Sequence, residues 1–159
     1  MMTGQITSSL TTNRQAKSSH NIAKVDMNKS HGESSIERKG NLLIIDSRGP
    51  FNLPFVQAYN KKIEIFIKQM PSVWGQVVTT NDNFLLTPEA EEGKKHACKY
   101  RKENGCYVSA IIFPEGTSGF VTITQMTRVY SYAGIEFEFF TDYQLAEQWV
   151  IACLAKYIE

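Results

Sequence analysis

The chain has few cysteines and no long apolar run. These two features argue against a disulfide-stabilised domain and against a membrane-spanning helix. Three cysteines in 159 residues, Cys98, Cys106 and Cys153, form neither a CxxC pair nor a complete disulfide framework. Reduced thiols are therefore expected. No window approaches the roughly 18 apolar residues of a membrane-spanning helix, and the N-terminus lacks the apolar core of a secretory signal. The sequence predicts a cytoplasmic protein without a transmembrane segment.

The chain also lacks a strong charge of either sign. Its 17 Lys and Arg residues nearly balance 16 Asp and Glu, which leaves a formal net charge of +1. No basic patch is interleaved with aromatic residues, as it would be on a nucleic-acid-binding surface. We therefore expect no nucleic acid among its partners. With 42% hydrophobic residues, a chain of this length can bury one core of ordinary size.

Residues suited to catalysis or metal binding are equally sparse. His96 is the only histidine after residue 31, and its highly charged surroundings predict a solvated side chain. No HxH, HExxH or CxxC spacing occurs, and no GxGxxG or GxxxxGK loop follows a predicted strand. The glycine-rich residues 115–119 are interpreted as a connector, with a ligand loop as the alternative. The sequence therefore predicts no enzyme, no cofactor and no metal site.

The first 32 residues differ in composition from the rest. Ser, Thr, Asn, Gln and Lys dominate them, and their few apolar residues follow no amphipathic period. Such a segment cannot offset its conformational entropy by burial. We predict a flexible tail over residues 1–32 and a single domain over residues 33–159. A tail that folds on a partner is the alternative, and Met27 offers an alternative start of the chain.

After the tail, the pattern begins with a hairpin and a helix. Strands are predicted over residues 34–38 and 41–47, with a turn at Lys39-Gly40 between them. Gly49-Pro50 ends the second strand, and Asn52 can cap a helix. Apolar residues then recur at spacings of three and four until Pro71, which indicates an amphipathic helix.

Three more strand-helix units follow. Strands are predicted over residues 73–79, 107–113 and 135–140, and Thr87-Pro88 opens a helix that ends at Gly105. Residues 117–133 are predicted as a helix from their position between two strands, although their β-branched residues favour a strand.

The last helix is predicted from Thr141 and Gln144, which have the spacing of a capping box, and it extends through Tyr157. Its predicted core stripe consists of Leu145, Ala146, Trp149, Val150, Cys153 and Tyr157. The fold class is therefore α/β in the order ββαβαβαβα. It has a mostly parallel five-stranded sheet, one antiparallel strand and four helices.

Residues at the strand-helix junctions make the chain similar to a known superfamily. They are Gly49-Pro50-Phe51-Asn52, Leu86-Thr87-Pro88-Glu89-Ala90, and Phe140 with Ala146 and Trp149. In this order, over about residues 31–159, they resemble the STAS superfamily (sulfate transporter and anti-sigma factor antagonist), most closely its SpoIIAA-like branch of small bacterial proteins. The resemblance implies a STAS-like, non-enzymatic regulatory or protein-interaction domain, with kinship to the lipid-binding CRAL-TRIO fold.

Candidate interaction or modification residues lie around the starts of the first two helices. The resemblance implies a phosphorylatable Asp-Ser-Ser-Gly type turn after the second parallel strand, whereas this chain reads Thr79-Thr80-Asn81-Asp82-Asn83 there. The candidates are Asn52, Asp82 and Thr87. A helix N-terminus would favour a phosphate on Thr87, but Thr-Pro-Glu at a helix start is ordinarily an N-cap. The alternative function is a carrier or sensor of a small apolar or lipid-like ligand, which the 9 Phe and 7 Tyr suggest.

Overall fold

The computed structural model describes residues 32–80, 85–114 and 119–158 and confirms the predicted α/β order. The elements are β1 (Glu33–Lys39), β2 (Leu42–Arg48), α1 (Leu53–Ile67), β3 (Trp74–Thr79), α2 (Pro88–Glu103), β4 (Cys106–Ile112), α3 (Phe120–Ala133), β5 (Glu136–Phe140) and α4 (Tyr143–Leu154). The predicted tail, apart from Gly32, lies outside these ranges, as do residues 115–118 of the glycine-rich segment. Within these ranges, no helix is both long enough and apolar enough to cross a membrane.

The five strands form one sheet in the order β1-β2-β3-β4-β5. β1 pairs with β2 in antiparallel orientation, and the other three pairings are parallel, as predicted. Each right-handed crossover leads to the next strand in the same direction. The crossover helices α1, α2 and α3 therefore lie together on one face. Their apolar side chains pack with Leu43 and Ile45 of β2 in the larger part of the core.

The helix α4 covers the opposite face of the sheet. Its Val150 and Leu154 pack with Val77 of β3 in a second apolar cluster. Gly75 permits this close approach, because a Cβ built there would lie 2.8 Å from Val150 Cγ1 and 3.2 Å from Leu154 Cδ1. The domain thus has three layers, with three helices on one side of the sheet and one on the other.

Two of the predicted helix caps are confirmed. Asn52 Oδ1 accepts a hydrogen bond from Phe55 N at 3.1 Å, and Thr87 Oγ1 accepts one from Ala90 N at 3.1 Å. Gly105 follows α2 with a φ of +103°, in the left-handed region expected of a glycine that ends a helix. These caps fix where α1 and α2 begin and where α2 ends.

The start of α4 and part of its core stripe differ from the prediction. Asp142 caps the helix by accepting a hydrogen bond from Leu145 N at 3.1 Å, so the capping box at Thr141 and Gln144 is wrong. A carboxylate is the stronger cap, and it moves the start of the helix by one residue. Leu145 faces outward and is 58% exposed, whereas Ala146, Val150, Cys153 and Leu154 are the buried residues of α4. The helix ends at Leu154, and Tyr157 beyond it is 39% exposed.

Candidate functional site

The starts of α1 and α2 lie side by side where the parallel strands end. Phe51 N donates to Leu85 O at 2.7 Å, and Thr87 N donates to Phe51 O at 3.1 Å. These bonds form a parallel bridge between Phe51 and Leu86. Because Asn52 follows Phe51 and Thr87 follows Leu86, the two cap residues are neighbours. The structure therefore brings two of the three candidate residues together.

Asn52 and Thr87 differ in accessibility. Asn52 is 8% exposed and holds the amide of Phe55, so its side chain belongs to the architecture. Thr87 is exposed, although its hydroxyl accepts a hydrogen bond from Ala90 N. A ligand that takes this hydroxyl has to compete with a cap worth about 1 kcal/mol. Asp82, the third candidate, lies outside the described residues.

The first turns of α3 add exposed apolar side chains to this edge. Gln125 Oε1 accepts a hydrogen bond from Leu86 N at 3.2 Å, and its Nε2 donates to Leu86 O at 2.9 Å. Val121 lies one turn before Gln125 on the same helix face and is therefore held near this bridge. Phe120 is 84% exposed, Val121 58% and Leu85 45%. We define the edge patch as Leu85, Thr87, Phe120 and Val121.

A charged pair joins α2 to α3 beside the edge patch. Arg128 Nε and Nη2 donate to the two carboxylate oxygens of Glu91 at 2.8 and 2.7 Å. These hydrogen bonds hold the pKa of Glu91 below its usual range. Glu91 and Glu89 both stand in the first turn of α2. Because these acids already complement the positive end of the helix dipole, the patch offers little attraction for a further anion.

The alternating charges of residues 89–103 predict a solvated face with i, i+4 pairs such as Glu91 with Lys95, and this prediction is wrong for three of the side chains. Glu91, Lys94 and Arg101 are 8%, 4% and 1% exposed. The expected pair of Glu91 with Lys95 does form, at 3.7 Å. The buried residues recur at spacings of three and four together with Cys98. That spacing is typical of a buried helix face. The face was not recognised in the sequence because three of its side chains are charged.

Features of an enzyme or a carrier are few in the described ranges. There, no group of three or more His, Cys, Asp or Glu could hold a metal ion. His96 is exposed and makes an edge contact with the ring of Tyr132. All three cysteines are free and buried, and burial raises the pKa of Cys106 to about 12. A cleft between α1 and α2 has a volume of about 70 Å³, which is well below the roughly 300–1,000 Å³ of ordinary ligand pockets. Three more open surface depressions have volumes of about 290, 330 and 390 Å³.

Comparison of the chain with protein-family models, with curated proteins and with solved structures gives no match. A shared fold class does not identify a function, so the function has to be argued from the residues of the site.

Proposed function

We propose that the chain is a non-enzymatic regulatory domain that binds a protein partner through the edge patch. The observation that carries this proposal is the exposure of Leu85, Phe120 and Val121 on two segments that the hydrogen bonds of Gln125 with Leu86 join. Scattered exposed apolar residues are common on proteins, whereas a cluster of them indicates an interaction surface. The two hydrogen bonds between the Gln125 amide and the backbone of Leu86 fix α3 to the segment before α2. The exposed apolar side chains therefore lie on rigid elements. A preformed surface reduces the entropy lost on binding.

The chemistry of the patch favours a polypeptide segment with apolar side chains. Large apolar side chains dominate the patch, and the Thr87 hydroxyl adds a polar group beside them. An anionic ligand is disfavoured, because Glu89 and Glu91 occupy the first turn of α2. The resemblance to the SpoIIAA-like branch of the STAS superfamily supports the same class of function.

Affinity capture with the full chain, from extracts of the producing organism, tests this proposal. Phe120→Asp places a charge in the part of the patch that α3 supplies, and Leu85→Asp places one in the segment before α2. Ile65→Asp is the matched control, because Ile65 is a 62% exposed residue of α1 outside the patch. A partner retained by the wild type and by Ile65→Asp should be depleted about tenfold by either patch variant.

Three measurements make the result decisive. Circular dichroism and thermal unfolding show that each variant is folded, which we expect because all three positions are exposed. Quantitative mass spectrometry then compares the captured proteins. If the wild type and the Phe120→Asp and Leu85→Asp variants capture the same proteins in equal amounts, the patch is not the binding surface and the proposal is wrong.

A further inference from the structure

We propose that the interior between α1 and α2 binds a small oxyanion, either phosphate or a small carboxylate, at Arg101 and Asn60. This site is separate from the edge patch. The proposal rests on buried positive charge without a salt-bridge partner in the described residues and on a cleft that reaches Arg101.

Two cationic side chains of α2 are buried without a carboxylate. Arg101 is 1% exposed, and Lys94 is 4% exposed. Neither forms a salt bridge with any residue that the structure describes. Arginine keeps its proton in proteins, so the charge of Arg101 cannot be removed by titration. A buried ion is costly unless an opposite charge or strong hydrogen bonds compensate it.

The hydrogen bonds of Arg101 are neutral and long. Its Nη1 donates to Gln76 Oε1 and its Nη2 to Asn60 Oδ1, both at 3.3 Å. Gln76 Nε2 donates in turn to Ser109 Oγ at 3.1 Å and to Tyr130 OH at 3.2 Å. These bonds turn the amide oxygen of Gln76 towards the guanidinium group. The network therefore orients Arg101 but brings no negative charge to it.

Both cations contact the same tyrosine, and its hydroxyl has no partner. The ring centroid of Tyr59 lies 5.1 Å from Arg101 Cζ and 5.0 Å from Lys94 Nζ, within the range of cation–π contacts. Tyr59 OH is buried and has no hydrogen-bond partner in the described part of the chain. A buried hydroxyl is ordinarily paired. This group of side chains lacks an acceptor that carries negative charge.

A cleft leads from the surface to Arg101. It has a volume of about 70 Å³, and its lining includes Arg101, Asn60, Ala97 and Glu64 beside the apolar Ile63 and Ile67. One water molecule needs about 10–15 Å³, so the cleft has room for a few waters or one small oxyanion. A nucleotide or a lipid does not fit. The planar guanidinium group and the amide of Asn60 supply the N–H donors that phosphate and carboxylate groups require.

Isothermal titration calorimetry of the full chain tests the proposal. Sodium phosphate and sodium acetate are titrated separately, at an ionic strength kept constant with sodium chloride. We expect saturable one-to-one binding of at least one anion. Binding of phosphate alone assigns the site to phosphate groups, and binding of acetate alone assigns it to carboxylates. The Nε–H resonance of Arg101 should shift on addition of the anion that binds.

Two variants of the cleft wall serve as tests, because Arg101→Gln removes the centre of a buried network and can unfold the domain. Ala97→Leu fills the cleft and should weaken binding about tenfold. Glu64→Gln removes the one acidic side chain in the lining and should strengthen binding about fivefold. The proposal is overturned if neither anion binds saturably, or if both variants bind the anion as the wild type does.

Discussion

The close contact between α4 and the sheet gives a sharp prediction for Gly75→Ala. The added Cβ would lie 2.8 Å from Val150 Cγ1 and 3.1 Å from Val108 O. Carbon atoms ordinarily approach to about 3.5 Å, so α4 or β3 has to move. Val150 is fully buried at 0% exposure, which leaves few ways to relieve the contact. Overpacking of this kind costs about 1–3 kcal/mol. Alanine also lowers the conformational entropy of the unfolded chain, which offsets about 0.4–1 kcal/mol of this cost.

We therefore expect Gly75→Ala to lower the free energy of unfolding by about 1–2 kcal/mol. Gly93→Ala in α2 is the matched control, because it changes the unfolded state in the same way. Its Cβ would lie 3.0 Å from Leu53 Cδ1, the end of a half-buried side chain that can rotate. Alanine also has a helix propensity about 0.8–1 kcal/mol better than glycine. Gly93→Ala should accordingly be neutral or stabilising.

Equilibrium unfolding in urea measures these effects, with the fluorescence of Trp74 and Trp149 as the probe. Val150→Ala supplies a further test, because it removes the methyl group that the new Cβ meets. The double variant Gly75→Ala/Val150→Ala should be more stable than the sum of the single changes by about 1 kcal/mol. If Gly75→Ala is as stable as the wild type, or if the two changes are additive, α4 does not press on Gly75.

Two further predictions concern α2 and α4. Hydrogen bonds from Arg128 hold the pKa of Glu91 below its ordinary value of 4.5, so the ionised carboxylate stabilises the fold. Glu91→Gln should therefore differ most from the wild type near neutral pH and progressively less below pH 4.5, as urea midpoints across this range will show. A difference that does not change with pH would contradict this. Asp142→Ala should lose about 1 kcal/mol with the cap of α4. Thr141→Ala should stay within about 0.5 kcal/mol of the wild type in the same assay. Equal losses would favour a cap at Thr141.

Most elements could be predicted because their signals are local, whereas α3 was predicted from its position between two strands. Asn52 and Thr87 cap helices through an amide three residues ahead, and no distant residue is needed for that bond. The neighbourhood of the two caps could also be anticipated, since parallel strands end at one edge of a sheet. In the structure, the parallel bridge between Phe51 and Leu86 places the two caps next to each other.

The face on which α4 packs could not be predicted, because sequence periodicity shows that a helix has a buried side but not which layer covers it. The sequence also could not decide whether Asp142 or Thr141 caps α4, since both residue types are favoured N-caps and the two positions are adjacent. The apolar spacing that placed Leu145 in the core also fits the observed face of Ala146, Val150, Cys153 and Leu154, and only packing on the sheet decides between the two faces. The exposure of Phe120 and Val121 likewise depends on how α3 meets the bridge at Leu86, which is a tertiary relation.

The buried charged side chain of α2 could have been anticipated from the strands that the helix covers rather than from the helix itself. Gln76 and Ser109 are paired across β3 and β4 and point towards the helices, and both are 0% exposed. Polar side chains at two adjacent inward positions of central strands need partners, because buried hydrogen-bonding groups are rarely left unpaired. Gln76 and Ser109 form one hydrogen bond with each other, and the helix layer supplies further partners through Tyr130 of α3 and Arg101 of α2. Paired inward polar residues on neighbouring strands therefore predict a buried polar or charged residue in the covering helix.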